Sequence, residues 1–536
     1  MKKYYLIKLT IITLLFSITK NVSSQDNPFT IELKSITIPE LGGLQSYAFG
    51  QANGKWLLVG GRLDGLHRRQ PWAAFDLAGH NNQLIVVDPV AKLKWTAALE
   101  SLPSSVQEQL SSTNMEFYQE GNYLYIIGGY GYSPTIDDHT TFDNLTAINV
   151  PEVIDAIISE TDFSNSIVQL KDSEFQVTGG KLEKIDDVYY LLGGHKFIGR
   201  YNPMGPNHGP GFIQEYTNAI RKFNLSNDGS TITVNHLEPH IDEMNLHRRD
   251  YNAEPQILEN RESGIIMYSG VFQQDEDLPF LNSVTVTSDD YYVNDSFEQM
   301  YNHYHCPALP LYSEENNEMH TVFFGGIAQF YDSLGTLVQD DDVPFVNTIA
   351  KVTRDKNGKM TETKLPIVMP SLLGAGAEFI PNPDFPHFDN NVFKLDSLSS
   401  ESTLVGFIFG GIQSSQPNIF FINNGTQSTA NSEIYEVYLK KNSTSSVENS
   451  NRHNSNDFNL SIYPNPTHTS LFIDNIDMVQ ISKITIIDLE GRVIETNSNI
   501  AQQSKLQIDI KSLNSGVYFL RISVNNKIIN KRFIID

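Results

Sequence analysis

Trp56-Leu57-Leu58-Val59-Gly60-Gly61 decides the fold, because its design returns along the chain. Leu124 to Gly129, Tyr189 to Gly194, Thr321 to Gly326 and Val405 to Gly411 are apolar runs that end in the same glycine pair. Ile265 to Gly270 is a weaker copy in which Ser269 replaces the first glycine, and Leu372 to Ala377 reads as a degenerate seventh. A short apolar run closed by glycine is a buried strand whose end meets a crowded place. Asn53-Gly54 and Glu120-Gly121-Asn122 precede two of the runs, as a turn precedes the second strand of a hairpin. The copies lie roughly fifty to eighty-five residues apart, which leaves room for one multi-stranded unit plus insertions per copy.

This pattern, over about residues 35 to 438, resembles the kelch family of β-propellers. The resemblance implies an all-β fold with six blades favoured and seven possible. A stacked β-sandwich is the alternative. GLHRRQPWAAF (65–75), GRYNPMGPNHGPGF (199–212), LHRRDYN (246–252) and HTVFFGGIAQFYD (320–332) are similar to a group of exported kelch-like proteins of Bacteroidota. That likeness implies architecture and supplies no catalytic residues. Pro151-Glu152-Val153-Ile154-Asp155-Ala156-Ile157-Ile158 has a helical rhythm, and predicts one short helix packed on a blade.

Both ends carry export signals. Residues 1–24 run from Met1-Lys2-Lys3 through a short apolar stretch to small residues, the layout of a signal peptide. This segment holds four lysines and no acid, so its loss takes the formal charge from −25 to −29. Ser/Asn-rich residues 440–459 read as a linker between a main domain at 25–439 and a tail at 460–536. The tail opens on Tyr463-Pro464-Asn465-Pro466 and includes Gly491-Arg492 and Ser515-Gly516-Val517-Tyr518. It resembles the C-terminal sorting domain of type IX secretion, a small β-sandwich. The resemblance implies the type IX machinery as a partner, and a secreted or cell-surface destination. No apolar run after the signal is long enough for a transmembrane anchor.

The acidic balance argues against nucleic acid, whose phosphates demand basic patches. A single cysteine, Cys306, excludes an intrachain disulfide, so stability must come from packing.

Polar side chains cluster just after the glycine-ended strands. Arg62, His67, Arg68 and Trp72 follow the first; His195, Arg200 and Tyr201 follow the third; His247, Arg248, Arg249 and Tyr251 precede the fourth. Guanidinium forks suit carboxylate or sulfate oxygens, and aromatic faces suit sugar rings. Arg62, His67, Arg68, Trp72 and Arg249 are therefore candidate ligand-binding residues, with arginines tying loops to carbonyls as the alternative. As a polysaccharide lyase the chain would use His195 or His247 as base, Tyr201 or Tyr251 as proton donor, and Arg200 or Arg248 to neutralise a uronate. Glu116 and Glu378 form a further candidate acid pair, for glycoside hydrolysis.

His303, His305, Cys306 and His320 form a separate candidate set for zinc or copper. In an extended segment His303 and His305 share a side, and His320 completes the site if the hairpin register allows. Hydrogen-bonded structural histidines around a buried thiol are the alternative. Asp137-Asp138, Asp289-Asp290 and Asp340-Asp341-Asp342 offer oxygen to calcium without a calcium-loop spacing, and read equally as solvated turns. The expected function is binding of an extracellular carbohydrate or glycoconjugate. Sugar-modifying catalysis and protein scaffolding are the two alternatives.

Overall fold

The computed structural model describes residues 27–203, 211–333, 336–442, 460–475, 480–488, 492–498, 503–524 and 527–535. The expected signal peptide and most of the stretch expected to be a linker lie outside them. The chain divides into two compact units, residues 1–444 and 445–536.

The first unit is all-β apart from short helices, and its repeating element is a four-stranded antiparallel sheet. Sheet 1 comprises Ala48–Ala52, Lys55–Val59, Gln83–Asp88 and Leu93–Ala98, each strand paired with the next in sequence. Sheets 2, 3 and 4 repeat this order and begin at Glu116–Glu120, Lys181–Ile185 and Asn252–Ile257. Sheet 5 begins at Ala308–Ser313 and gains a parallel neighbour, Phe393–Lys394. Sheet 6 takes three strands, Ala377–Pro381, Thr403–Gly410 and Ile434–Lys441, from the end of the unit. Its fourth is Phe29–Ile36, the first of the described strands, paired antiparallel to Ile434–Lys441 along its whole length. Strand structure thus continues through Lys440 and Lys441, past the linker start expected at 440. Leu372 to Gly376 leads into sheet 6 through an antiparallel bridge from Leu372 to Ser414 and a turn, and forms no sheet of its own among the described residues.

Each glycine pair closes the second strand of its sheet, as expected, and the cause is now specific. A Cβ on Gly128 would lie 1.9 Å from the Val177 carbonyl oxygen of the next sheet, and one on Gly325 would lie 1.8 Å from that of Leu373. The second glycine of the pair then bonds across the gap. Gly61 donates to Ser112, Gly129 to Val177, Gly194 to Arg248, Gly326 to Leu373 and Gly411 to Leu44, at 2.8–3.2 Å. The last of these links sheet 6 back to sheet 1.

A second set of links lies at the start of the first strands. Each is approached through a residue with positive φ: Ser46, Asn114, Gly179, Asp250, His305 and Gly376. Ser46 N donates to Gly376 O, Asn114 N to Ser46 O, Gly179 N to Asn114 O, Asp250 N to Gly179 O and Gly376 N to His305 O. Only the step between sheets 4 and 5 lacks both kinds of backbone link among the described residues. That is where Ser269 stands in place of glycine. Its side chain donates to Phe280 O at 2.8 Å. The buried Asn252 amide bridges this step instead, donating to His303 O and accepting from Cys306 N at 3.1 Å.

Between sheets the packing is apolar. The helix Val150–Ile158 turns Val153, Ile154 and Ile157 against Leu57, Val59 and Leu124 of sheets 1 and 2. Each such fully buried side chain contributes roughly 1.5–3 kcal/mol. Insertions from sheets 2 and 3 build a further sheet from Tyr130–Ser133, Asp138–Thr141, His195–Ile198 and Ile213–Tyr216.

In the second unit, a three-stranded sheet (Leu460–Tyr463, Ser470–Asn475, Lys505–Asp509) and a four-stranded sheet share one core. Leu471, Ile473, Leu520, Ile522 and Phe533 fill it.

Candidate functional site

A residue one to three positions before each first strand is held left-handed, and this geometry gathers polar groups from distant loops. The gathering is densest around Arg249 and Asp250. Arg249 Nη1 contacts the Asp250 carboxylate, Nε donates to Tyr216 Oη at 3.0 Å, and Nη1 reaches Tyr304 Oη at 3.5 Å. Tyr304 Oη donates to Asp250 Oδ2 at 3.3 Å, and the guanidinium sits 5.3 Å above the Phe272 ring. The Tyr216 ring stacks on His247 at 3.7 Å and meets His195 edge-on at 5.7 Å. Tyr201 is edge-on to His67 at 5.0 Å and close enough for its phenol to respond to Arg249 and Asp250.

Electrostatics fix the protonation of the cluster. Burial would raise the Asp250 carboxyl, but the charge and hydrogen bond of Arg249 outweigh it and hold the group below the usual aspartate range. Burial, reinforced by Arg249, pushes His195 down to about 3. Burial also takes His67 to about 4, with Arg62 and Arg249 adding to the effect. Tyr304 is pushed up by burial and by Asp250. At neutral pH the cluster therefore presents neutral imidazoles, protonated phenols and one ion pair. Such a set donates and accepts hydrogen bonds without demanding a counterion.

This cluster lies beside a cavity of about 150 Å³ lined by residues from the first strands of all six sheets. Ser46, Asn114, Gly179 and His305 belong to its wall, as do Glu116, Lys181, Glu183, Glu254 and Glu378. His305 joins the two regions, its Nε2 lying 3.4 Å from Glu378 Oε1.

The sequence-predicted residues fall into two groups. His67, His195, Tyr201, His247 and Arg249 come together around the cluster. Arg200 and Trp72 sit beside it, the Arg200 guanidinium donating to the Trp72 carbonyl while the indole is 71% exposed. Arg68 is exposed and lies against Gly425.

Arg62, Arg248 and Tyr251 are turned into the packing. Arg62 is 1% exposed and forks onto Asp64 at 2.6–2.7 Å. Arg248 is fully buried, bonded to the carbonyls of Asn245, Ser269 and Asn282 and to the Asn282 side chain. Tyr251 donates to Leu192 O at 2.8 Å. The His247, Arg248 and Tyr251 set therefore does not share a surface. His195, with Nδ1 on Gln214 Nε2 at 2.8 Å, is too weakly basic to be a neutral-pH base in this state.

The four metal candidates do not converge. Asn302, His303 and His305 have φ of 52°, 51° and 32°, so the segment is a left-handed turn and the same-side argument for an extended strand fails. His303 Nδ1 meets Gly325 O at 2.8 Å and its ring stacks on Phe323. Cys306 Sγ lies against Pro307 O, and burial pushes the thiol well up. His320 meets Thr353 Oγ1 at 3.0 Å, farther along sheet 5. Among the described residues no group of three or more His, Cys, Asp or Glu side chains converges as a metal ion requires. Of the paired acids, Asp340 and Asp341 accept from Asn418, Gln329 and Gln339 around a turn.

Burial sets His303 down to about 4, below its ordinary 6.5. The folded state keeps this imidazole neutral while the unfolded chain protonates it. Stability is therefore lost as pH falls below about 6.5, at up to about 1.4 kcal/mol per pH unit. His303→Gln should remove this slope. In urea titrations the stability gap between wild type and variant is expected to narrow from pH 7 to pH 5, and a constant gap would contradict the assignment.

Asp250, Tyr216, Tyr304, Lys181, Glu183 and Glu254 are site residues that sequence reasoning did not select. Their signal was positional. Asp250 stands two residues before the first strand of sheet 4, as Ser46 and Asn114 do in sheets 1 and 2.

No described helix is long and apolar enough to cross a membrane. No curated protein matches the chain. Residues 461–536 match the secretion system C-terminal sorting domain. The protein is thus a substrate of the type IX secretion machinery, delivered to the cell surface or the extracellular space.

Proposed function

We infer that the six sheets are blades of a kelch-like β-propeller, and that this exported protein binds an extracellular carbohydrate beside its central cavity. The propeller reading is supported by the repeated strand order, by backbone links from sheet to neighbouring sheet, and by the first strand completing sheet 6. The carbohydrate reading is carried by one observation: Tyr216 and Tyr304 hydroxyls ring the Arg249–Asp250 pair, among aromatic faces. Arginine donates to and aspartate accepts from neighbouring sugar hydroxyls, while ring faces cover the apolar side of a pyranose.

The test is a glycan array followed by calorimetry on the mature protein. Tyr304→Phe and Tyr216→Phe should each weaken the selected glycan about tenfold, the loss of one hydrogen bond worth roughly 1.4 kcal/mol. Unchanged affinity in both variants would sink the site assignment. Unsaturated sugar ends absorbing in the ultraviolet would replace binding by lyase chemistry.

A further inference from the structure

The cavity itself holds an imbalance that the sugar-binding reading leaves unused. Glu116, Glu183, Glu254 and Glu378 enter its wall from four different sheets, against one lysine, Lys181. Among the described residues the Glu183 and Glu254 carboxyls and the Lys181 amine make no close hydrogen bond or ion pair, and act on one another through longer-range charge. Glu116 is 1% exposed, and while Oε1 accepts from Gly180 N at 2.7 Å, its Oε2 has no partner. A buried carboxyl oxygen without a donor is costly unless a guest supplies one. Burial together with the neighbouring carboxylate holds Glu183 well above the usual range, as expected for acids short of positive charge.

We propose that this cavity binds the ammonium group of an amine-bearing ligand. The carboxyls surround the space and do not converge, so they do not offer the compact oxygen shell that a metal ion needs. An ammonium group suits the arrangement: its three donors point apart and can reach acceptors on different walls. Phe49, Phe117 and Phe379 also line the cavity, and aromatic rings attract a cation. Burial holds Glu116 up at about 8 and Glu254 at about 7, with Glu183 also well above the usual range. These carboxyls are therefore largely protonated while the cavity is empty, and become acceptors by releasing their protons to solvent as the ammonium enters. The volume of about 150 Å³ admits a group of a few heavy atoms and excludes a whole oligosaccharide. The inference rests on the carbohydrate reading only in making the ligand an amino sugar; the ammonium pocket is defined by its own residues.

The probes are glucosamine, N-acetylglucosamine, glucose and methylammonium chloride, measured by calorimetry and thermal shift on the mature protein. Glucosamine is expected to bind at least tenfold tighter than N-acetylglucosamine, and methylammonium to compete with it. Glu254→Gln and Glu183→Gln, which keep side-chain shape, should abolish that preference. Equal affinity for the three sugars overturns the ammonium pocket and leaves the carbohydrate site standing. Methylammonium binding that is lost in both glutamine variants, with no sugar bound, supports the pocket and removes the carbohydrate reading. A preference for glucosamine that survives both substitutions, or no binding by any probe, overturns the proposal.

Discussion

Gly128→Ala is expected to unfold the first unit or keep it from accumulating, at a cost above about 4 kcal/mol. The added methyl would stand 1.9 Å from the Val177 carbonyl oxygen, a backbone atom that cannot move without shifting sheet 3. The same sheet gap carries the Gly129 N to Val177 O bond, so relieving the clash breaks a link. Gly54→Ala separates this effect from backbone strain. Gly54 also has positive φ, 72°, but nothing lies within 4 Å of its would-be Cβ. It should cost only about 1 kcal/mol. Soluble expression and urea midpoints of the two variants measure the difference, and similar losses would show that conformation, not the neighbouring sheet, demands the glycine pairs.

Arg248→Met carries the second large effect. Methionine keeps the apolar stem and removes every donor, which strands the buried carbonyls of Asn245, Ser269 and Asn282. The guanidinium also lies 4.0 Å over the Phe280 ring, and burial already draws its pKa down to about 9. Unsatisfied buried acceptors cost about 1–3 kcal/mol each, so a total loss of about 3–5 kcal/mol is expected. Arg68→Met, at an exposed position, should stay within about 0.5 kcal/mol of wild type. Glycan affinity of folded Arg248→Met protein should be unchanged, because the side chain faces away from the Arg249–Asp250 cluster. Equal stability of the two variants would contradict this division of the arginines.

These contrasts show what the sequence could and could not reveal. Apolar runs ending in Gly-Gly located the second strand of each sheet, because local crowding leaves a compositional mark. Even the weak copy at Ser269 was informative: the glycine is missing at the step between sheets 4 and 5, which lacks the backbone links seen at the other steps among the described residues. The helix at Val150–Ile158 was equally legible from its apolar spacing. Arginine was less legible. Arg248 and Arg249 are adjacent and chemically identical, yet one is spent on loop carbonyls and the other stands beside two tyrosine hydroxyls. Which fate each meets depends on contacts with residues 21 to 55 positions away, and no local pattern encodes those. The His303–Cys306 turn misled for a related reason. Alternation was applied to residues whose left-handed φ values abolish it.

The pairing of Phe29–Ile36 with Ile434–Lys441 has a consequence for the life of the protein after export. A strand at the border of a sheet is a template for aggregation when its amides stand open. Here the final described strand of the first unit is flanked on both sides, by Thr403–Gly410 and by Phe29–Ile36. Asn442 is fastened as well, its amide to Pro28 O and its side chain to Asn27 O. A protease cutting beyond Asn442 would therefore uncover no new adhesive edge. The delivery signal can be shed from a body whose last strand is already sealed by its first.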